Sequence, residues 1–196
     1  MTLIHLVRHG HAAAGWDTSM DPPLDELGRD QAAATAARLV VRLQESKWSV
    51  GDLDVVTSPL LRCRATAAEF ERVSGCTARI EPRIAEIPSP SGVELSQRSE
   101  WLRRAMQGTW RELIDRDGTE YATFRAALVA WAGEIRRDTI AFTHFVAINA
   151  LIGAATSDDR VLVRSVDNAS VTTLHVDVSG RLSLFEGGAE ANTDIR

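Results

Sequence analysis

Short apolar runs alternate with longer stretches of helical periodicity along most of this chain, and that alternation limits the fold more than any other feature. Leu3–Val7 is the first such run; closed by Gly10, it reads as a buried strand. Leu27–Glu45 reads as a helix, because it is alanine-rich and Ala32, Ala36, Leu39, Val40 and Leu43 recur every three or four residues. Leu53–Thr57 is a second strand. Ser58-Pro59 then offers an N-cap followed by a proline suited to a first turn, opening a helix from Leu60 to about Val73. Ala78–Glu81 is a third candidate strand, and the Pro/Ser/Gly-rich segment Ile87–Gly92 is a loop. Glu94–Ile114 is predicted as one helix with Leu102, Met106, Trp110 and Leu113 along a stripe. Glu120–Arg137 is another, carrying Phe124, Leu128 and Trp131. Strand Thr139–Thr143 precedes a helix from Phe145 to about Ala154. Strands Val171–Val178 and Leu182–Phe185 meet at the Ser179-Gly180 turn.

Strand–helix alternation of this kind specifies an α/β fold with a largely parallel sheet. Such sheets bind ligands beyond the C-terminal ends of their strands. The site is therefore expected at Arg8–His11, at Ser58–Arg62 and at Thr143-His144. Those segments hold two arginines and three histidines. Arginine presents a fork of donors matched to phosphate or carboxylate oxygens. Histidine near neutral pH can be nucleophile, base or donor. The pair suits an anionic substrate, and phosphoryl transfer above all, which needs its equatorial oxygens neutralised during in-line attack.

Composition narrows the classes further. A length of 196 residues fits one domain, 1–196, better than two. Lys+Arg is 22 against 27 Asp+Glu, a net charge of −5, which weighs against a general nucleic-acid or anionic-membrane binder. Two cysteines, Cys63 and Cys76, exclude a disulfide-rich scaffold and a four-cysteine zinc site. The first residues lack a secretory pattern and no apolar run approaches a membrane span, so a cytoplasmic location is the expectation. Asn168-Ala169-Ser170 matches a glycosylation pattern that has no meaning without secretion. The tail Gly187–Arg196 is expected to wrap the surface or fray.

Leu6-Val7-Arg8-His9-Gly10 resembles the signature opening of the histidine phosphatase superfamily, also called the phosphoglycerate mutase-like family. Pro23–Ala32 resembles the segment that opens that family's first helix, Thr57–Ala67 its second signature, and Thr143-His144 before an apolar helix its last. The four blocks agree in order and rough spacing over most of residues 3–175. The resemblance implies a three-layer α/β/α sandwich with a variable cap at about 86–120. It implies that His9 is the nucleophile and forms a phosphohistidine, and that Arg8, Arg62 and His144 hold the phosphoryl group. Gly10 would let the backbone approach the histidine, with its carbonyl orienting the ring, and Glu86 would protonate the leaving oxygen and then activate water. No metal or other cofactor is implied, since the arginines supply the positive charge. Mutases of the cofactor-dependent type carry polar residues where this chain has Ala12 and Gly15, and a Trp-Glu-Gly pattern where it has Ile87–Gly92. A phosphatase is therefore favoured over a mutase.

Other readings stand beside these. His11 could donate at the pocket rim or be a solvated loop residue. Glu86 could be a surface carboxylate. Trp101, Arg103, Arg104, Trp110 and Arg111 read better as a solvated helix face with core tryptophans than as a second anion site. His5 is expected to be packed inward, His175 to be structural, and Cys63 to fill an alanine-sized gap. His9-Gly10-His11 has the form of a zinc-binding His-x-His pair, but Arg8 beside it would repel a cation. A non-catalytic phospho-ligand binder on the same fold is the alternative outside enzymes. The substrate expected is a phosphorylated small molecule or phosphoprotein, and an exposed cap could serve a homodimer.

Overall fold

β1 (Thr2–Arg8), β2 (Asp54–Thr57), β3 (Arg79–Ile80), β4 (Thr139–Thr143), β5 (Val171–Val176) and β6 (Leu182–Glu186) form one sheet in the order β3-β2-β4-β1-β5-β6. The computed structural model describes residues 2–45 and 52–190. Four strands, β3, β2, β4 and β1, run parallel, and β5 and β6 add an antiparallel edge beside β1. This is the mostly parallel α/β sheet that the alternation predicts.

Alternating side chains divide the sheet between two cores, as a strand period of two requires. Val7, Val55, Ile140 and Phe142 pack on one face with Ala36 and Leu39 of α1 (Glu26–Glu45) and Cys63, Ala67 and Phe70 of α2 (Leu61–Ser74). Ile4, Leu6, Val56 and Ala141 face the other way. There they meet α5 (Glu120–Glu134), α6 (Phe145–Thr156) and the two short helices α3 (Arg98–Met106) and α4 (Trp110–Asp117). The layers are therefore helix, sheet, helix. α6 is buried along nearly its whole circumference, which explains its mostly apolar sequence, with Asn149 as the buried polar exception.

The predicted helix Glu94–Ile114 is three pieces. A 3₁₀ turn at Leu95–Gln97 leads into α3, the chain breaks at Gln107-Gly108, and α4 starts afresh. Thr109-Trp110-Arg111-Glu112 is the reason, because it forms a capping box in which Thr109 and Glu112 satisfy each other's backbone N–H groups. The segment 159–161 clasps the break, as Trp110 N–H donates to the Asp159 carbonyl (2.8 Å) and Val161 N–H to that of Gly108 (3.0 Å). The apolar stripe survives, with Leu102, Met106, Trp110 and Leu113 all buried.

Other boundaries move by a few residues. Ser58-Pro59 does not begin α2; Leu60 is its N-cap residue and Ser58 remains at the strand end. α5 stops at Glu134 rather than Arg137, because Ile135 turns extended. The third strand is only Arg79–Ile80, and β5 ends at Val176. Of the tail, Gly187–Glu190 lies along the loop before β5, with the Ala189 carbonyl accepting from Asp167 N–H (2.9 Å). Residues 191–196 lie outside the described residues. No helix among the described residues is long and apolar enough to cross a membrane.

Candidate active site

Strand order assembles the site. β4 lies between β1 and β2, and their C-terminal ends are level: Arg8 pairs with Thr143, and Thr57 with Phe142. The ladder runs one rung further, His9 N–H donating to the Thr143 carbonyl (3.0 Å) and Ser58 N–H to that of Phe142 (2.9 Å). The chain thus leaves the sheet at His9, Ser58 and His144 side by side.

His9 Nδ1 lies 2.7 Å from the Gly10 carbonyl oxygen. A carbonyl only accepts, so Nδ1 carries the proton and Nε2 keeps its lone pair. Arg62 Nε–H donates to that Nε2 at 3.1 Å. Burial, with Arg62 and then Arg8 adding repulsion, holds the His9 pKa well below 6.5, so the ring is neutral at neutral pH. Gly10 itself is pressed against α1, where an added Cβ would lie 2.3 Å from the Gly28 carbonyl oxygen. Its N–H donates to Thr66 Oγ1 (3.1 Å), which ties the turn to α2.

Both arginines are buried, Arg8 at 9% exposure and Arg62 at 4%. Arg8 donates Nη1 to the Val166 carbonyl (2.8 Å) and lies over the Phe145 ring (4.8 Å), and its Nε is sealed from solvent without a partner among the described residues. Desolvation brings its pKa down to about 10, which leaves it charged. Arg62 stands 3.6 Å from the Asp21 carboxylate. A buried guanidinium with an unmet donor is costly unless an anion completes it.

His144 is fully buried and meets the His9 ring edge-on, with centroids 5.3 Å apart. Its Nε2 lies 2.7 Å from Ser58 Oγ, the hydroxyl expected to cap α2. Cys63 does more than fill a gap, since its thiol donates to the Thr143 carbonyl (3.2 Å) and lies 3.3 Å from His144 Nε2. Glu86 accepts from Ile87 N–H (3.0 Å) and, at a longer 3.5 Å, from Val146 N–H. Burial raises its carboxyl pKa above the usual value, against the pull of Arg62.

Arg8, His9, His11, Arg62 and Glu86 line one cavity of about 370 Å³; Gly10 and His144 stand behind it. His11 is a rim residue, with Nδ1 held at 2.6 Å by Asp25, whose other oxygen accepts from Gly28 N–H at the start of α1. Trp101 and Trp110 are buried in the core, and Arg103, Arg104 and Arg111 are exposed, as the solvated-face reading expects. His5 is buried against Thr173 Oγ1 (3.0 Å), and His175 is half-buried beside Ser183. Among the described residues no three His, Cys, Asp or Glu side chains converge as metal ligands, so His9 and His11 lack the third ligand the zinc reading needs.

Sequence reasoning missed Trp16, Asp21, Asp25, Arg98 and Asn168. Asn168 Nδ2 donates to the His9 carbonyl (3.2 Å) and joins the cavity wall. Nothing in its local sequence marks it, because the loop before β5 reaches the site only through strand pairing.

Burial makes the fold acid-sensitive. His5 is depressed to about 4 by desolvation and then by Arg42, and His9 and His144 lie well below 6.5. The unfolded chain protonates each near its ordinary pKa of about 6.5. Their stabilisation is therefore complete above that pH and is lost as pH falls towards the folded values. Glu86 works in the opposite sense above the ordinary carboxylate range, since its raised pKa lets the folded chain hold a proton there. Three depressed histidines outweigh one raised carboxyl, so net stability falls as pH drops below about 6.5. Urea unfolding at pH 7.5, 6.5 and 5.5 should show stability falling over the last step; a flat profile would contradict the buried neutral histidines.

The fold and the side chains at its strand ends together define a phosphoglycerate mutase-like α/β protein. The chain belongs to the histidine phosphatase superfamily (branch 1), whose family model matches residues 4–184. A Photorhabdus laumondii protein named "Probable phosphoglycerate mutase" is 30% identical over 119 residues, 56% of this chain and 52% of that protein. The match thus spans about half of that relative's length. A mycobacterial glucosyl-3-phosphoglycerate phosphatase superposes with a TM-score of 0.70 at 23% identity, covering 97% of this chain and all of the other. An Entamoeba histolytica phosphoserine phosphatase in complex with 3-phosphoglyceric acid does so at 0.69 and 16% identity, covering 96% and 98%. At these identities the structural likeness is one of fold.

Proposed function

We propose that this protein is a metal-independent phosphomonoester phosphatase that works through a phosphohistidine on His9. One observation carries the reading: His9 Nε2 keeps its lone pair on the wall of a small cavity, beside the buried Arg62 and Arg8, while its proton is committed to Gly10. Nε2 attacks phosphorus and the bond to the leaving oxygen breaks. Glu86, whose carboxyl burial favours in its protonated form, gives that oxygen its proton. The resulting carboxylate takes a proton from water, the hydroxide attacks phosphorus, the P–N bond breaks and the electron pair returns to Nε2. Arg8 and Arg62 neutralise the equatorial oxygens in both steps. His144, edge-on to His9 with ring centroids 5.3 Å apart, is the third group of this reading, helping Arg8 and Arg62 hold the phosphoryl group.

The curated relative favours a second reading, phosphoglycerate mutase-type transfer. Against it, Ala12 and Gly15 line the cavity and offer no polar side chain to hold a phosphorylated intermediate for return. A small phosphorylated molecule suits the cavity's size. The test is inorganic phosphate release from p-nitrophenyl phosphate with and without excess chelator, beside conversion of 3-phosphoglycerate in the presence of its bisphosphate. Chelator-resistant hydrolysis without mutase turnover is expected. Loss of activity with chelator, or isomerisation without phosphate release, would overturn the proposal.

A further inference from the structure

A second cavity, of about 280 Å³, adjoins the first across a shared rim of Trp16, Pro22, Arg62 and Glu86. Its distinctive member is Arg98, at the start of α3 and 7% exposed. Among the described residues no carboxylate lies within ion-pair distance of it, although ion pairs are common elsewhere on this acidic chain. Its guanidinium lies over the Trp16 ring at 4.7 Å, and Nη1 donates to the Met20 sulfur at 2.9 Å. A ring face and a thioether are soft partners that neutralise no charge. Arg98 Nε is sealed from solvent and has no acceptor among the described residues. Desolvation and the neighbouring Arg62 both push its pKa down, and no acid raises it. A buried cation is ordinarily paired, so this one is held short of a partner.

Building on the phosphatase reading, we infer that Arg98 binds a second anionic group, a carboxylate or phosphate carried by the leaving alcohol, in the cavity beyond Glu86. The placement fits the chemistry. With the phosphoryl group at His9 and Arg62, and Glu86 at the leaving oxygen, the remainder of the substrate has to pass the shared rim. One route enters the lobe walled by Phe145, Leu102 and Ala13, and the other meets Arg98. Trp16 fixes the guanidinium plane, which lowers the entropy cost of a paired contact. Nothing in the hydrolytic step needs Arg98. Its contribution is selection: it strengthens binding of a doubly functional ester and discriminates against a neutral leaving group.

The test compares 3-phosphoglycerate with glycerol 3-phosphate, esters that differ by a carboxylate, with a propanediol bisphosphate as a third arm. In the wild type, kcat/KM is expected to favour an ester with the second charge. Whether the acid or the bisphosphate leads identifies the group. In Arg98→Met, which keeps the packing on Trp16, the ratio of charged to neutral ester should collapse by about 10- to 150-fold, the worth of a charge-assisted hydrogen bond. Arg98→Lys should restore part of it. A purely structural Arg98 would lower all substrates alike and leave the ratio unmoved, and that result overturns the inference, as does a wild type that shows no preference. Should the wild type release phosphate from no ester, the phosphatase reading fails by itself. Calorimetric binding of the same esters to wild type and Arg98→Met then decides the inference by the same ratio.

Discussion

His9→Ala is expected to lower kcat by about 10⁴-fold or more while the protein still folds, because the change removes the atom that bonds to phosphorus. The structural cost is bounded. The ring's contacts are the Gly10 carbonyl, Arg62 Nε and the His144 edge, and the substitution deletes a buried group that disfavours folding at low pH. A lost buried hydrogen bond and a small cavity amount to about 1–3 kcal/mol. For a chain of this size that is a melting shift of roughly 2–12 °C. The paired measurements are steady-state turnover and a thermal melt, together with acid-quench labelling for an acid-labile, base-stable phosphoprotein in the wild type. Residual turnover near the wild-type rate in purified His9→Ala would refute the covalent mechanism outright.

Glu86→Gln should separate leaving groups. An alkyl phosphate needs its departing oxygen protonated, so kcat/KM should fall about 10²- to 10⁴-fold. A nitrophenolate leaves without help, so its phosphorylation step should change far less. The pH profile gives the sign. Glu86 must hold its proton for the first step, so activity on alkyl esters falls as pH rises through its raised pKa. His9 must be neutral, so the acid limb lies well below 6.5. The high-pH limb should vanish in Glu86→Gln and the low-pH limb should remain. Equal losses on alkyl and aryl esters would place Glu86 in binding or structure.

Most elements were legible because local periodicity and tertiary burial agree: Ile4, Leu6, Leu128 and Trp131 are apolar in sequence and buried in the fold. The misread boundaries occur where a polar side chain has two competing uses. Ser58 could cap a helix or meet His144, and burial at the strand end selects the second. Thr109 could continue a helix or restart one, and the capping box with Glu112, clasped by 159–161, selects the restart.

By itself the sequence determined the α/β class and pointed to the strand ends at Arg8–His11, Ser58–Arg62 and Thr143-His144 as the place for chemistry. These are carried by short-range pattern, a few residues around each strand end, whereas Glu86 was singled out only through the family resemblance. Tertiary structure alone decided that β4 lies between β1 and β2, which brings those ends level, and that Gly10 seats on Gly28. It alone decided that Arg98 is buried beside the site without a counter-ion among the described residues, for pairing partners and burial are set by contacts far apart in the chain, which no local window contains.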